Sequence, residues 1–145
     1  MALSDFDLEC DEFGFLTAAR YFCVSFAQPE TCAWVHAVLS PTSFFSDGNA
    51  ALKLRRSLAV VQEMRCARRS VFRFSNPRCL ACSAIVTQDE RHLLQLVQYS
   101  RAGRKSHAAS SAMLLCEGHD TRDVLRAAEL FAEVTSTKAT EPAQK

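Results

Sequence analysis

Glycine is scarce in this chain: four residues in 145, at positions 14, 48, 103 and 118, with no two near each other. That excludes the glycine-rich loops that cradle phosphates in nucleotide-binding motifs. Long apolar runs are missing as well, and none reaches the roughly 20 residues a membrane-spanning helix needs. No basic, then apolar, leader opens the chain. Its first twelve residues carry Asp5, Asp7, Glu9, Asp11 and Glu12 instead. The expectation is a cytoplasmic protein with no membrane partner. Net charge is also nearly absent, +1 at pH 7.

What is present is ordinary core material for one domain. The chain is 48% hydrophobic and 23% charged, with ten Phe, and its length suffices for a core of its own. The small net charge conceals a segregation. Residues 1–52 hold one basic residue, Arg20, against seven acidic ones. Residues 53–105 hold twelve basic against three acidic, and ten of those twelve are arginines. Arginine suits bidentate contacts to phosphate or carboxylate.

Cysteine is abundant: seven residues, an odd number that argues against a fully paired disulfide framework. Three of them join a histidine in the order Cys79-x-x-Cys82 … Cys116-x-x-His119. Three sulfurs and one imidazole nitrogen complete a tetrahedral Zn²⁺ shell, and a full shell leaves no open position for substrate. The four are therefore expected to hold a structural zinc. The ligand types resemble those of treble-clef and zinc-ribbon fingers over about 40 residues, although the spacer is longer than the 15–20 residues of common patterns. Cys116-Glu117-Gly118-His119 also resembles the Cys-Asp-Gly-Ser-His end of the small CDGSH iron–sulfur proteins, with one residue missing and no Cys-x-Cys upstream. An iron–sulfur cluster is the minor alternative that this resemblance implies. A thiol-redox role for Cys79 and Cys82 is the other, but the sequence shows no helix after Cys79 to lower its pKa. Of the remaining cysteines, Cys23 and Cys32 read as small buried hydrophobes, while Cys10 and Cys66 have no assigned role.

Hydrophobic periodicity predicts a mainly α fold of about six helices, with a short β-hairpin or zinc knuckle bracing the C-terminal half. Helices are expected over 15–27, 29–39, 49–69, 88–102, 104–115 and 121–134. In the third, Leu54, Leu58, Val61 and Met64 form the apolar stripe. Ser70 to Phe74 and Ser83 to Val86 read as the two hairpin strands. Thr87 and Glu90 have the form of a capping box, which accounts for Asp89 and Glu90 without a catalytic role. The expected organisation is an acidic, loosely ordered segment 1–12, one helical domain 13–134 with a zinc-binding subregion 76–120, and a disordered tail 135–145.

No nucleophile is spaced to pair with His36, His92 or His107, so a non-enzymatic role is expected. The basic stretch is the functional clue. Arg55, Arg65, Arg68, Arg69, Arg73 and Arg78 surround Phe72 and Phe74, a mixture suited to phosphate contact and base stacking. The expected function is a zinc-stabilised regulatory module that contacts nucleic acid. A protein–protein adaptor or homodimerisation module is the alternative, with the acidic N-terminus answering the basic face.

Overall fold

The computed structural model describes residues 1–39, 45 and 48–135. The expected tail lies outside these from residue 136 on, as does most of the 40–48 loop. Among the described residues there are seven α-helical segments and no strand, so the mainly α class holds. They are α1 (Cys10–Ala27), α2 (Trp34–Leu39), α3 (Ala50–Ala67), α4 (Leu80–Ser83), α5 (Gln88–Arg101), α6 (Lys105–Leu115) and α7 (Arg122–Thr135).

Helices α5, α6 and α7 pack on one another, α3 lies against α7, and α1 joins α3 and α5. Their shared core contains Phe15 and Leu16 from α1, Met64 from α3, Leu93 from α5, Leu115 from α6 and Phe131 from α7. The rings of Phe15 and Phe131 meet at 5.1 Å and 55°, and each phenylalanine buried this fully contributes about 1.5–3 kcal/mol. Three small residues, Ala108 and Ala112 of α6 and Ala128 of α7, are buried where these helices pack. They let the backbones come close.

Two expectations are corrected. The apolar stripe of α3 runs through Leu54, Ser57, Val61 and Met64, while Leu58 stands 38% exposed. Ser57 can be buried because its hydroxyl donates to the Lys53 carbonyl at 2.8 Å, which satisfies the group where it stands. The expected hairpin does not form either. Residues 71–76 take no regular secondary structure, and links to the returning segment come from side chains: Thr87 Oγ1 donates to the Arg73 carbonyl at 2.7 Å and Ser75 Oγ to the Ile85 carbonyl at 2.6 Å. The backbone pairing of Ile85 goes to the N-terminus instead. Ala2 and Ile85 form an antiparallel bridge, flanked by Leu3 N–H to the Ala84 carbonyl at 2.7 Å and Val86 N–H to the Met1 carbonyl at 2.8 Å.

Residues 1–12 therefore run along the fold. Leu3, Phe6 and Leu8 pack against the core, a 3₁₀ turn spans Leu3–Asp5, and α1 takes up Cys10 to Glu12. Acidic residues of this region reach inward to the basic centre. Asp11 pairs with Lys53 Nζ at 3.1 Å, both groups buried. Glu12 and Glu9 meet Arg101 at 2.6 and 2.8 Å.

Candidate functional site

Arg20 and Glu90 form the best-enclosed ion pair among the described residues, with side chains 5% and 1% exposed. Glu90 Oε1 accepts from Arg20 Nε at 2.7 Å and Oε2 from Arg20 Nη2 at 3.0 Å. The same carboxylate accepts Ser75 N–H and Thr87 N–H, each at 3.0 Å. Arg20 completes its fork by donating to the carbonyls of Ser83 at 2.8 Å and Ile85 at 2.9 Å. A buried pair survives only where its remaining donors and acceptors are filled in this way. Its structural product is a fixed backbone on both sides of the 79–86 turn.

On that turn, Cys79 caps α4: its Sγ accepts from the Cys82 N–H at 3.3 Å. A short helix thus does follow Cys79, contrary to the sequence reading, because Leu80–Ser83 is too brief to leave a periodic signature. Hydrogen bonds donated to Cys79 by the Cys82 thiol and then by the Cys82 N–H hold the Cys79 pKa below the usual thiol range. The Cys82 thiol is raised, since its proton is held on Cys79. Cys116 lies at the other end of the molecule's sequence-defined quartet, buried at the C-cap of α6, and burial pushes its thiol up. His119 is exposed, beyond a turn in which Glu117 and Gly118 take left-handed φ of 57° and 77°.

Cys79 and Cys82 are brought together, and Cys116 and His119 share the α6 turn through the His119 N–H to Cys116 carbonyl bond at 3.0 Å. Among the described residues, however, no three His, Cys, Asp or Glu side chains converge to hold a metal ion. What ties the end of α6 to the start of α5 here is Arg68. Its Nη1 donates to the Leu115 carbonyl at 2.6 Å, its Nη2 meets Asp89 at 3.3 Å, and its Nε lies 3.8 Å from Glu117. The sequence placed Arg68 on the binding face. Its side chain is 6% exposed and its charge is engaged within the fold.

The other candidate arginines reach solvent. Arg55, Arg65, Arg69, Arg73 and Arg78 are exposed and make no ion pair among the described residues. Arg65 and Arg69 line an open groove of about 370 Å³ at the end of α3, together with Arg68, Phe26, Phe72 and Phe74. The Arg65 guanidinium lies 3.6 Å from the centre of the Phe26 ring, a cation–π contact, and its Nη1 donates to Gln62 Oε1 at 3.2 Å. Phe26 comes from α1, and nothing near it in sequence marks it as part of this site. Arg73 lines a neighbouring hollow with Thr87 and Asp89 on the far side of Ser70 and Val71. Arg55 and Arg78 line neither hollow.

The remaining titratable candidates are dispersed. His36 is exposed and stacks on Tyr21 at 5.4 Å. His107 is exposed beside Tyr99 at 5.0 Å. Cys32 is exposed, in left-handed geometry after a 3₁₀ turn. Cys23 is buried as expected, and burial raises its pKa to about 12. Comparison with known proteins finds no matching family model, no similar curated protein and no similar solved structure.

Proposed function

We propose that the chain is a non-enzymatic binding module that takes single-stranded nucleic acid along the α3-end groove. The observation that carries this reading is the groove's lining, in which two exposed arginines stand beside half-buried phenylalanine rings. Arg65 and Arg69 supply phosphate contacts, and the faces of Phe72 and Phe74 supply stacking surface for bases. Arg73, just across Ser70 and Val71, extends the basic track. Arg68 acts as a positioning residue, fixing the segment that presents Phe72.

The test is fluorescence anisotropy with a labelled homopolymeric oligonucleotide across a range of salt. Affinity falls as salt rises, and in the Arg65→Ala/Arg69→Ala double variant the logarithmic salt slope becomes shallower by about 1.4. Binding that ignores salt, or is absent in the full chain, sinks the reading.

A second reading, a protein–protein adaptor or dimerisation module, draws on α2. Trp34, Val38 and Leu39 stand 47%, 45% and 76% exposed on this short helix. Light scattering distinguishes it: a concentration-dependent mass lost in Val38→Lys supports association through this face, and a strict monomer opposes self-association. Structural zinc on Cys79, Cys82, Cys116 and His119 is supported by donor chemistry alone and requires the two pairs to close on one ion. Native mass spectrometry reads it directly, as one zinc mass per chain that a strong chelator removes.

A further inference from the structure

Leu80 and Ala81 are helical, so the Cα atoms of Cys79 and Cys82 stand one turn apart, about 5 Å. That lies inside the span a disulfide bridges without backbone movement. The Cys82 N–H points at Cys79 Sγ across 3.3 Å, so the side chain of Cys79 is already turned back over its partner residue. Solvent reaches the turn: Cys82 is exposed, Cys79 is half-buried, and the intervening Leu80 is 89% exposed.

The turn is also held still. The Cys79 carbonyl accepts from Ser83 N–H at 2.8 Å, and Arg20 grips the Ser83 and Ile85 carbonyls from inside the core. Closing a bridge between two residues already fixed one turn apart involves little further loss of chain entropy. The other exposed cysteines stand on separate elements, Cys10 at the start of α1, Cys32 after the 3₁₀ turn and Cys66 in the last turn of α3, while Cys23 and Cys116 are buried.

From this geometry we infer that Cys79 and Cys82 are a redox-active dithiol that exchanges with disulfide-bearing substrates by reversible closure of a Cys79–Cys82 bond. Cys79 gives its proton to solvent, and the thiolate so formed attacks one sulfur of the substrate disulfide. A mixed disulfide forms on Cys79 and the first substrate thiolate departs, taking a proton from solvent. Cys82 gives its proton to solvent and attacks Cys79 Sγ, which closes the intramolecular bond and expels the second substrate thiolate. Two electrons and two protons leave the protein pair, and one substrate disulfide becomes two thiols. A thiol reductant reverses the sequence. The activity is independent of the groove and stands or falls separately from nucleic-acid binding.

The experiment equilibrates the freshly purified, reduced full chain against mixtures of oxidised and reduced glutathione, followed by acid quench, intact mass and peptide mapping. The expected first product has lost two hydrogens, mapped to the Cys79–Cys82 peptide, before glutathione accumulates on Cys10, Cys32 or Cys66. In Cys82→Ser the second step is blocked, and a glutathione adduct builds up on Cys79 about tenfold faster than on Cys66. A pair that stays reduced while the isolated cysteines are modified overturns the inference. So does a Cys82→Ser variant with no excess adduct on Cys79. A pair that resists oxidation until a chelator strips a metal assigns both sulfurs to metal binding and equally overturns it.

Discussion

Glu90 shows how much one side chain carries in this fold. Its two oxygens accept two bonds from Arg20, one from Ser75 N–H and one from Thr87 N–H, so it caps α5 and neutralises a buried guanidinium at once. Glu90→Gln keeps the shape but removes the charge and turns one oxygen into a donor facing donors. The expected loss is about 3–5 kcal/mol of unfolding free energy, read from urea denaturation. A midpoint shift equivalent to less than about 1 kcal/mol would show that Arg20 finds another counter-charge. The sequence marked Glu90 only as a capping residue, since Arg20 lies 70 positions away and no local pattern pairs them. For the same reason nothing local marks Asp11 and Lys53 as buried, although both are. Burial of a charge is decided by its partner, and these partners come from distant elements.

At the scale of elements, α5 is the clearest case of sequence dictating structure. Thr87 Oγ1 accepts from Glu90 N–H at 3.1 Å, and Glu90 returns the contact to Thr87 N–H, the reciprocal arrangement expected from the residue types. The same hydroxyl donates to the Arg73 carbonyl, so the cap also pins the 71–76 segment. Thr87→Ala is expected to cost about 1–2 kcal/mol and, by freeing that segment, to speed amide exchange around Arg73. Unchanged exchange there would restrict the role of Thr87 to its helix. Long helices were legible because apolar residues recur along them, with boundaries off by one to a few residues at α3, α5 and α6. Helix α1 starts earlier than expected because Asp11 and Glu12, acidic residues in a first turn, suit the positive end of a helix. The two places that misled are short. Four residues of α4 make a single turn, which no periodicity can reveal, and alternation over Val71 to Phe74 suggested a strand where none forms, because Ile85 pairs with Ala2. Of the candidate site, Arg65, Arg69, Phe72 and Phe74 were visible as a cluster in sequence; Phe26, and the inward turn of Arg68, depended on how α1 and α6 dock.

Considered whole, three ion pairs tie the N-terminal part of the chain to its centre, while most of the central arginines stay on the surface. Arg20 meets Glu90, Asp11 meets Lys53, and Glu12 meets Arg101 across separations of 70, 42 and 89 positions. A fragment of residues 1–75 contains α1 and α3 but lacks Glu90, Arg101 and the helices that cover their apolar faces. Circular dichroism should find it weakly helical, with no cooperative melt; a sharp transition would show that the N-terminal half has a core of its own. The Arg20 fork has a further consequence for the order of events in a cell. Translation delivers the N-terminal half first, so Glu12 and Arg20 emerge before their counter-charges Arg101 and Glu90 have been synthesised. Neither can be buried at that stage without leaving a bare ion in an apolar setting. The Asp11–Lys53 pair can close early, whereas the buried places of Glu12 and Arg20 are completed only once α5 has been synthesised.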